Sequence, residues 1–90
     1  MAGPLGLELV LTHIGANVRA RRIKMGLTQE RLANQADLDL RFVQRVERGQ
    51  TNLSVAVLLA LGQVLKLQPA AFFRPAQLPE AQVGRPRKRK

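Results

Sequence analysis

The chain has 90 residues, of which 46% are hydrophobic, and it carries a formal net charge of +9. A chain of this length forms one small domain that is only marginally stable by itself. It contains no Cys, no apolar run long enough to cross a membrane and no signal-peptide pattern at its start, which excludes disulfide and thiol chemistry and predicts a cytoplasmic protein.

The first predicted helix follows from apolar residues spaced three or four apart, which are Leu7, Leu11, Ile14 and Val18. This spacing is typical of an amphipathic helix with one buried face. A basic stretch precedes Gly26, and both features favour a helix end at this point.

Two further helices are predicted on either side of a short break. Thr28 is a good N-cap for the second helix, and Asp39 is a good N-cap for the third. Asp37 lies in the break, where Asp tolerates a left-handed turn better than most residues. We expect the third helix to run from about Leu40 to Arg48 and to stop at Gly49.

The next segment predicts a long apolar helix and a short one. Ser54 caps the fourth helix, which we expect to continue through about Leu67 and which is apolar nearly all round. Pro69 opens a fifth helix, and Pro75 ends it after the sequence AAFFR.

These elements predict an all-α fold, a compact bundle of four to five short helices. We divide the chain into an N-terminal extension (1–11), a helical domain (12–76) and a disordered basic tail (77–90). His13 is the only histidine, and we interpret it as a surface or boundary residue. The sequence contains no metal-ligand cluster and no phosphate-binding glycine loop, so we expect no metal, no cofactor and no enzyme activity.

The third predicted helix separates into two faces when about 100° is assigned to each residue. One face is apolar and consists of Phe42, Val43 and Val46. The opposite face carries Leu40, Arg41, Gln44, Arg45 and Arg48. Arg and Gln side chains bond guanine and adenine edges or phosphates in the major groove, so this face is suited to DNA.

The surrounding residues strengthen that interpretation through their spacing. The run includes Gly26-Leu27-Thr28-Gln29-Glu30, Leu32-Ala33, Ala36, Val43 and Val46-Glu47-Arg48-Gly49, with Ile14-Gly15, Val18-Arg19 and Arg22 before it and Asn52 and Ser54 after it. Over residues 12–74 the chain resembles the phage-repressor/Cro family of helix-turn-helix proteins, also called the xenobiotic-response-element family. The resemblance implies a lambda-repressor-like DNA-binding domain.

The resemblance also implies a role for individual residues. The base-reading positions would be Leu40, Arg41, Gln44 and Arg45. The contacts to the DNA backbone would come from Arg19, Thr28, Gln29, Arg48, Gln50 and Asn52. Arg22 and Glu47 would form a structural ion pair between the first and third helices.

The chain departs from the family at two acidic residues. Asp37 stands where Gly usually makes the turn between the helices, and Asp39 stands where Ser or Thr is usual. Asp suits both positions conformationally, but both carboxylates would repel phosphate.

The tail concentrates positive charge, with Arg85, Arg87, Lys88, Arg89 and Lys90 among its last six residues. Gly84-Arg85-Pro86 resembles the core of an AT-hook, which implies insertion into a narrow minor groove. General electrostatic anchoring on DNA, a nuclear-localisation signal and no DNA role are the alternatives.

Members of the family commonly bind double-stranded DNA as homodimers. We predict a dimer interface formed by Leu59, Val64, Leu67, Phe72 and Phe73. The alternative is that Phe72 or Phe73 closes the core of the monomer. The apolar extension from Leu5 to Leu11 would either add to that interface or pack internally.

The function predicted from these features is a sequence-specific transcriptional regulator, a repressor or autoregulatory controller that binds a palindromic operator. One alternative is an antitoxin-type interaction module with a protein partner, either a toxin or a polymerase subunit. Another is a non-specific nucleoid-type DNA binder, which the charge of +9 favours.

Overall fold

The computed structural model describes residues 6–76, and this part of the chain consists of helices without a strand. The helices are α1 (Leu7–Lys24), α2 (Gln29–Ala36), α3 (Leu40–Glu47), α4 (Val55–Leu65) and α5 (Pro69–Phe72). The predicted all-α bundle is confirmed. None of these helices is long and apolar enough to cross a membrane.

Three of the helices begin at the predicted caps. The Thr28 hydroxyl accepts a hydrogen bond from the Arg31 N–H at 3.0 Å. The Ser54 hydroxyl accepts one from the Val57 N–H at 3.1 Å. The Asp39 carboxylate likewise starts α3. Each oxygen satisfies a backbone donor that has no partner within its own helix, which fixes where α2, α3 and α4 begin.

The turn between α2 and α3 depends on a left-handed aspartate. Asp37 has φ 57° and ψ 48°, a conformation that costs most residues energy but that Asp tolerates. The Leu38 N–H then donates to the Ala33 carbonyl at 2.8 Å, which closes the end of α2. Asp37 therefore adopts the turn conformation at the position where the family usually has Gly.

Helix α4 ends two residues earlier than predicted. Lys66 adopts the left-handed conformation, with φ 57°, and the Leu67 N–H donates to the Gly62 carbonyl at 3.0 Å. A Cβ on Gly62 would lie 2.7 Å from the Leu67 oxygen, so the missing side chain lets the chain turn back over the helix. The short α5 comprises residues 69–72; Pro69 opens it as predicted, but it ends two residues before the predicted Arg74.

The core is aliphatic apart from one aromatic ring. Its buried members come from all five helices and are Ile14, Val18, Leu32, Ala33, Ala36, Val43, Val46, Leu58, Leu61, Leu65 and Phe72. The apolar stripe of α1 extends beyond this core. Leu7, at its N-terminal end, is 60% exposed.

Helices α1 and α3 approach each other so closely that one position requires glycine. A Cβ added to Gly15 would lie 2.7 Å from the Glu47 carbonyl oxygen and would also clash with the Val46 carbonyl oxygen. The hydrogen atom of Gly15 therefore allows the backbone of α3 to rest directly on α1.

Polar side chains of α1 bind the ends of α4 and α5. Arg21 Nε donates to the Leu65 carbonyl at 2.8 Å. Asn17 Nδ2 donates to the carbonyls of Phe72 and Arg74, each at 2.9 Å. These carbonyls lie at helix ends, where no helical N–H is available to them.

The single histidine continues the same row of side chains. His13 Nδ1 accepts a hydrogen bond from the Ala76 N–H at 2.9 Å, and the side chain is half-buried. His13, Asn17 and Arg21 are spaced four residues apart, so they share one side of α1. His13 thus has a structural role at the boundary of the domain.

Candidate nucleic-acid interface

The two faces predicted for α3 are present in the structure. Val43 and Val46 are buried, at 0% and 2% exposure, and hold the helix on the core. Arg41 and Arg45 are exposed, and Leu40 and Gln44 are partly exposed. The four residues expected to read bases therefore have surface available on one helix.

Arg45 lies beside the aromatic ring of Phe42, a contact that the sequence pattern did not single out. Its guanidinium carbon lies 5.9 Å from the centroid of the Phe42 ring. Cation–π contacts at exposed sites contribute about 0.5–1 kcal/mol. The spacing of three residues in a helix was the available signal, because it places the two side chains side by side.

A buried ion pair joins α1 to the end of α3. Arg22 Nε donates to Glu47 Oε2 at 2.7 Å, and an Nη nitrogen donates to Oε1 at 3.0 Å. The side chains are only 12% and 3% exposed. The second Nη of Arg22 donates to the Leu27 carbonyl at 2.9 Å. This network ties α3 to α1 and to the loop before α2.

Gln29 belongs to the same network. Its Nε2 donates to Glu47 Oε1 at 3.0 Å, and its side chain is half-buried. The sequence predicts Gln29 as a DNA backbone contact and does not reveal this bond, since nothing in the spacing indicates that Glu47 accepts from two partners. Glu47 therefore orients the start of α2 as well as the end of α3.

An open polar depression connects the start of α2 with the exposed face of α3. It is lined by Arg22, Thr28, Gln29, Glu30, Leu40 and Gln44. Two expected backbone contacts, Thr28 and Gln29, thus border two expected base-reading residues. The tertiary fold makes one continuous surface of residues that the sequence separates.

The remaining expected backbone contacts are not among the residues that line this depression. Arg19, Arg48, Gln50 and Asn52 are all exposed. Arg48 Nη1 and Gln50 Oε1 are 3.5 Å apart, which is a weak contact. These side chains are therefore free to bind phosphate.

Two carboxylates stand at the beginning of α3. Asp37 and Asp39 are both exposed. Asp39 Oδ1 accepts a hydrogen bond from the Arg41 N–H at 3.1 Å, so its charge is fixed at the helix N-terminus. The acidic turn expected from the sequence lies directly beside the basic face.

The predicted dimer interface needs one correction. Phe72 is completely buried in the monomer core, so it is not available to a partner, whereas Phe73 is 53% exposed. The alternative that one of the two rings closes the core holds for Phe72. Leu59 is 47% exposed, and Val64 and Leu67 are half-buried against the core.

Other expectations fall outside the described residues. The tail residues are Arg85, Arg87, Lys88, Arg89 and Lys90, and the structure does not describe them. Within residues 6–76, no group of three or more His, Asp or Glu side chains is arranged to hold a metal ion.

Solved structures of controller proteins have similar folds. The restriction-modification controller protein C.AhdI from Aeromonas hydrophila is 40% identical, with a TM-score of 0.67 over 70% of this chain and 96% of that chain. The structure of C.Esp1396I bound to a 25 base pair operator site is 26% identical, with a TM-score of 0.64 over 82% of this chain and 90% of that chain.

Sequence comparison indicates the same relationship. An uncharacterized HTH-type transcriptional regulator from Sinorhizobium medicae is 28% identical over 64 residues, which are 71% of this chain and 46% of the relative. The chain thus spans about half the length of that relative. A family model described as helix-turn-helix matches residues 18–72, which is more than half of the chain. The chain belongs to this helix-turn-helix family.

Proposed function

We propose that this protein is a sequence-specific transcriptional regulator, a repressor or autoregulatory controller, that binds a palindromic operator as a homodimer. The exposed face of α3 carries this proposal, because it presents Arg41, Gln44 and Arg45 on a helix whose opposite side is buried in the core. The similarity to C.Esp1396I bound to its operator site supports it.

Base reading falls to the residues at the exposed face of α3, which enters the major groove. Arg41 and Arg45 each bond a guanine through its O6 and N7 atoms, and Gln44 bonds an adenine. Leu40 packs against a thymine methyl group. The N-terminal part of the recognition helix contacts base edges in helix-turn-helix proteins. Leu40 and Arg41 occupy that part of α3, and Gln44 and Arg45 follow one turn later.

Phosphate contacts position the domain without reading sequence. They come from Thr28 and Gln29 at the start of α2, where the positive end of the helix dipole favours an anion. The others come from Arg19, Arg48, Gln50 and Asn52. The tail residues 85–90 add affinity for every sequence through their charge.

A homodimer is supported by the apolar side chains that the monomer leaves exposed. Leu59 on α4 and Phe73 after α5 are about half exposed, at 47% and 53%. A symmetric dimer would place its two recognition helices about 34 Å apart, one turn of DNA.

Selection of binding sites from random duplexes at about 150 mM salt tests the proposal, since this salt concentration suppresses purely electrostatic binding. We expect an enriched inverted repeat with half-sites about one helical turn apart. Enrichment of A·T-rich sequence alone, or no enrichment, would contradict the proposal and favour a nucleoid-type binder. Co-purification with a second small protein and no site preference would favour the interaction module.

Substitutions on α3 test the assignment of base contacts. Arg41→Ala or Arg45→Ala should weaken binding to the selected site by about 1–3 kcal/mol and relax base choice. Lys24→Ala is the matched control, because it removes one exposed positive charge from the last residue of α1 and leaves α3 unchanged. Equal weakening on all sequences would assign Arg41 and Arg45 to phosphate. Deletion of residues 84–90 should weaken binding to every sequence and flatten its salt dependence.

A further inference from the structure

Three exposed apolar side chains meet at one groove of the domain. Leu7 in the first turn of α1, Val55 in the first turn of α4 and Phe73 after α5 are 60%, 72% and 53% exposed. All three line an apolar groove of about 120 Å³. Leu59 lies one helical turn after Val55 and extends the same face of α4. We call this surface the α1–α4 groove.

We infer that the α1–α4 groove is the centre of the contact with a second copy of this chain, so that the N-terminal turns of α1 are a dimerisation element. This inference rests on the homodimer of the proposed function and adds its location. Contiguous apolar patches of this kind on small proteins mark interaction sites.

The charge distribution favours a second copy as the occupant. The lining is entirely uncharged, consisting of Leu7, Val10, Leu11, Ile14, Asn52, Leu53, Ser54, Val55, Leu58 and Phe73. Two copies of a chain of charge +9 repel each other wherever their basic surfaces approach. This groove offers a second copy apolar atoms with no basic side chain among its lining residues.

The size of the groove indicates what enters it. Its volume of about 120 Å³ is smaller than the ~150 Å³ apolar cavity that accepts a benzene molecule. It therefore has room for about one aliphatic side chain. In a two-fold contact the same patch supplies both the side chain and the groove, and exposed Leu7 and Val55 at the rim are suited to that exchange.

The position of the groove suits a dimer that binds one duplex. Its lining includes Asn52 and Ser54, which belong to the loop between α3 and α4. A contact at this point would lie one loop away from α3 in each copy. A symmetric operator needs two recognition helices in one dimer, since each half-site takes one.

The groove also combines residues inside and outside the region that the family model matches. The family model matches from Val18 onward, whereas α1 is one continuous helix from Leu7. The turns that carry Leu7, Val10 and Leu11 therefore lie before the matched region. They give this chain apolar surface beyond that region.

Sedimentation equilibrium of the full chain carrying either of two single substitutions, Leu7→Glu or Val55→Glu, tests the inference. Both residues lie in the first turn of a helix, where a carboxylate is favourable, so the monomer should keep its fold. We expect the dimer dissociation constant to rise about tenfold or more, because each substitution removes apolar burial twice in a symmetric contact. Circular dichroism melting should show the helical fold intact.

Leu9→Glu is the matched control. Leu9 is 44% exposed, lies in the same first turn of α1 and does not line the groove. The same change there should leave the dissociation constant within about twofold, since exposed surface substitutions have small effects. An equal loss with Leu9→Glu would overturn the inference, because charge alone would then explain the effect.

The remaining outcomes separate this inference from the proposed function. A dimeric wild type whose dissociation constant does not change with Leu7→Glu would overturn the α1–α4 groove and leave the homodimer standing. A wild type that stays monomeric at every concentration, with and without duplex DNA, would overturn both. Loss of site selection with a normal dimer would count against the DNA-binding function alone.

Discussion

Helices α3 and α5 are both short and both pack on α1, but different kinds of contact hold them. Helix α3 is fixed by a buried ion pair between Arg22 and Glu47 and by direct backbone contact at Gly15. Helix α5 is fixed by side chains of α1, chiefly Asn17, that bond backbone carbonyls. Beyond their buried apolar side chains, α3, the helix proposed to face DNA, is therefore held by charge and shape, whereas α5 is held by neutral hydrogen bonds.

The largest effect should come from breaking the ion pair. Glu47→Ala leaves Arg22 buried without its partner and also removes the acceptor of Gln29, so the free energy of unfolding should fall by about 3–5 kcal/mol. Chemical denaturation measures this change in the free energy of unfolding. The double variant Arg22→Met, Glu47→Leu is the control and should recover most of the loss, because apolar residues of similar size replace a buried pair well. A single variant as stable as the wild type would show that the pair does not hold α3.

The contact between α1 and α3 should be the next most sensitive feature. Gly15→Ala places a methyl group against the backbone of α3 and should destabilise the fold by about 1–3 kcal/mol, the usual cost of overpacking. Binding to the selected operator should weaken too, since α3 must move outward. Gly6→Ala is the control, because its Cβ would meet nothing within 4 Å. Equal thermal unfolding of both variants would contradict the close approach.

Loosening α5 should have a smaller and more local effect. Asn17→Ala removes two hydrogen bonds and should lower stability by about 1–2 kcal/mol. Amide hydrogen exchange should accelerate in residues 69–76 while α3 stays protected. Asn34→Ala, at an exposed position on α2, is the control and should change neither the stability nor the amide hydrogen exchange of residues 69–76. Equal acceleration in α3 and α5 would mean that the two helices are not held independently.

The smallest effect should come from the two left-handed residues that precede α3 and α5. Asp37 and Lys66 have the same φ of 57°. Replacing either by Gly should raise stability by about 0.5 kcal/mol, because the relief of backbone strain exceeds the added entropy of the unfolded chain. Lys66→Gly should gain more in urea unfolding, since Asp tolerates this conformation better than Lys. The reverse order would show that the Asp37 side chain does not favour the turn.

Local signals were sufficient to predict most of the helices. Thr28, Asp39 and Ser54 are caps by their chemistry, and the apolar spacing of α3 assigned Val43 and Val46 to its buried side. The end of α4 was missed because it depends on the chain folding back over Gly62, a contact between residues five apart that no propensity indicates. Phe72 and Phe73 could not be told apart, since both are aromatic and adjacent.

The candidate site was predictable as a set of residues but not as a surface. The separation of α3 into an apolar and a basic face indicated Arg41, Gln44 and Arg45. The bond from Gln29 to Glu47 required the positions of α1, α2 and α3 relative to one another. The role of His13 likewise followed only from its meeting with Ala76, 63 residues away.

The sequence by itself determined the helices, their caps and the basic face of α3, because these features depend on neighbours within one or two turns of the chain. The tertiary structure alone decided which apolar residues are buried and which stay on the surface. Leu7 continues the stripe of Ile14 and Val18, yet it is 60% exposed because no other helix within residues 6–76 covers the first turn of α1. Burial depends on which elements pack together, and periodicity along one helix carries no record of that.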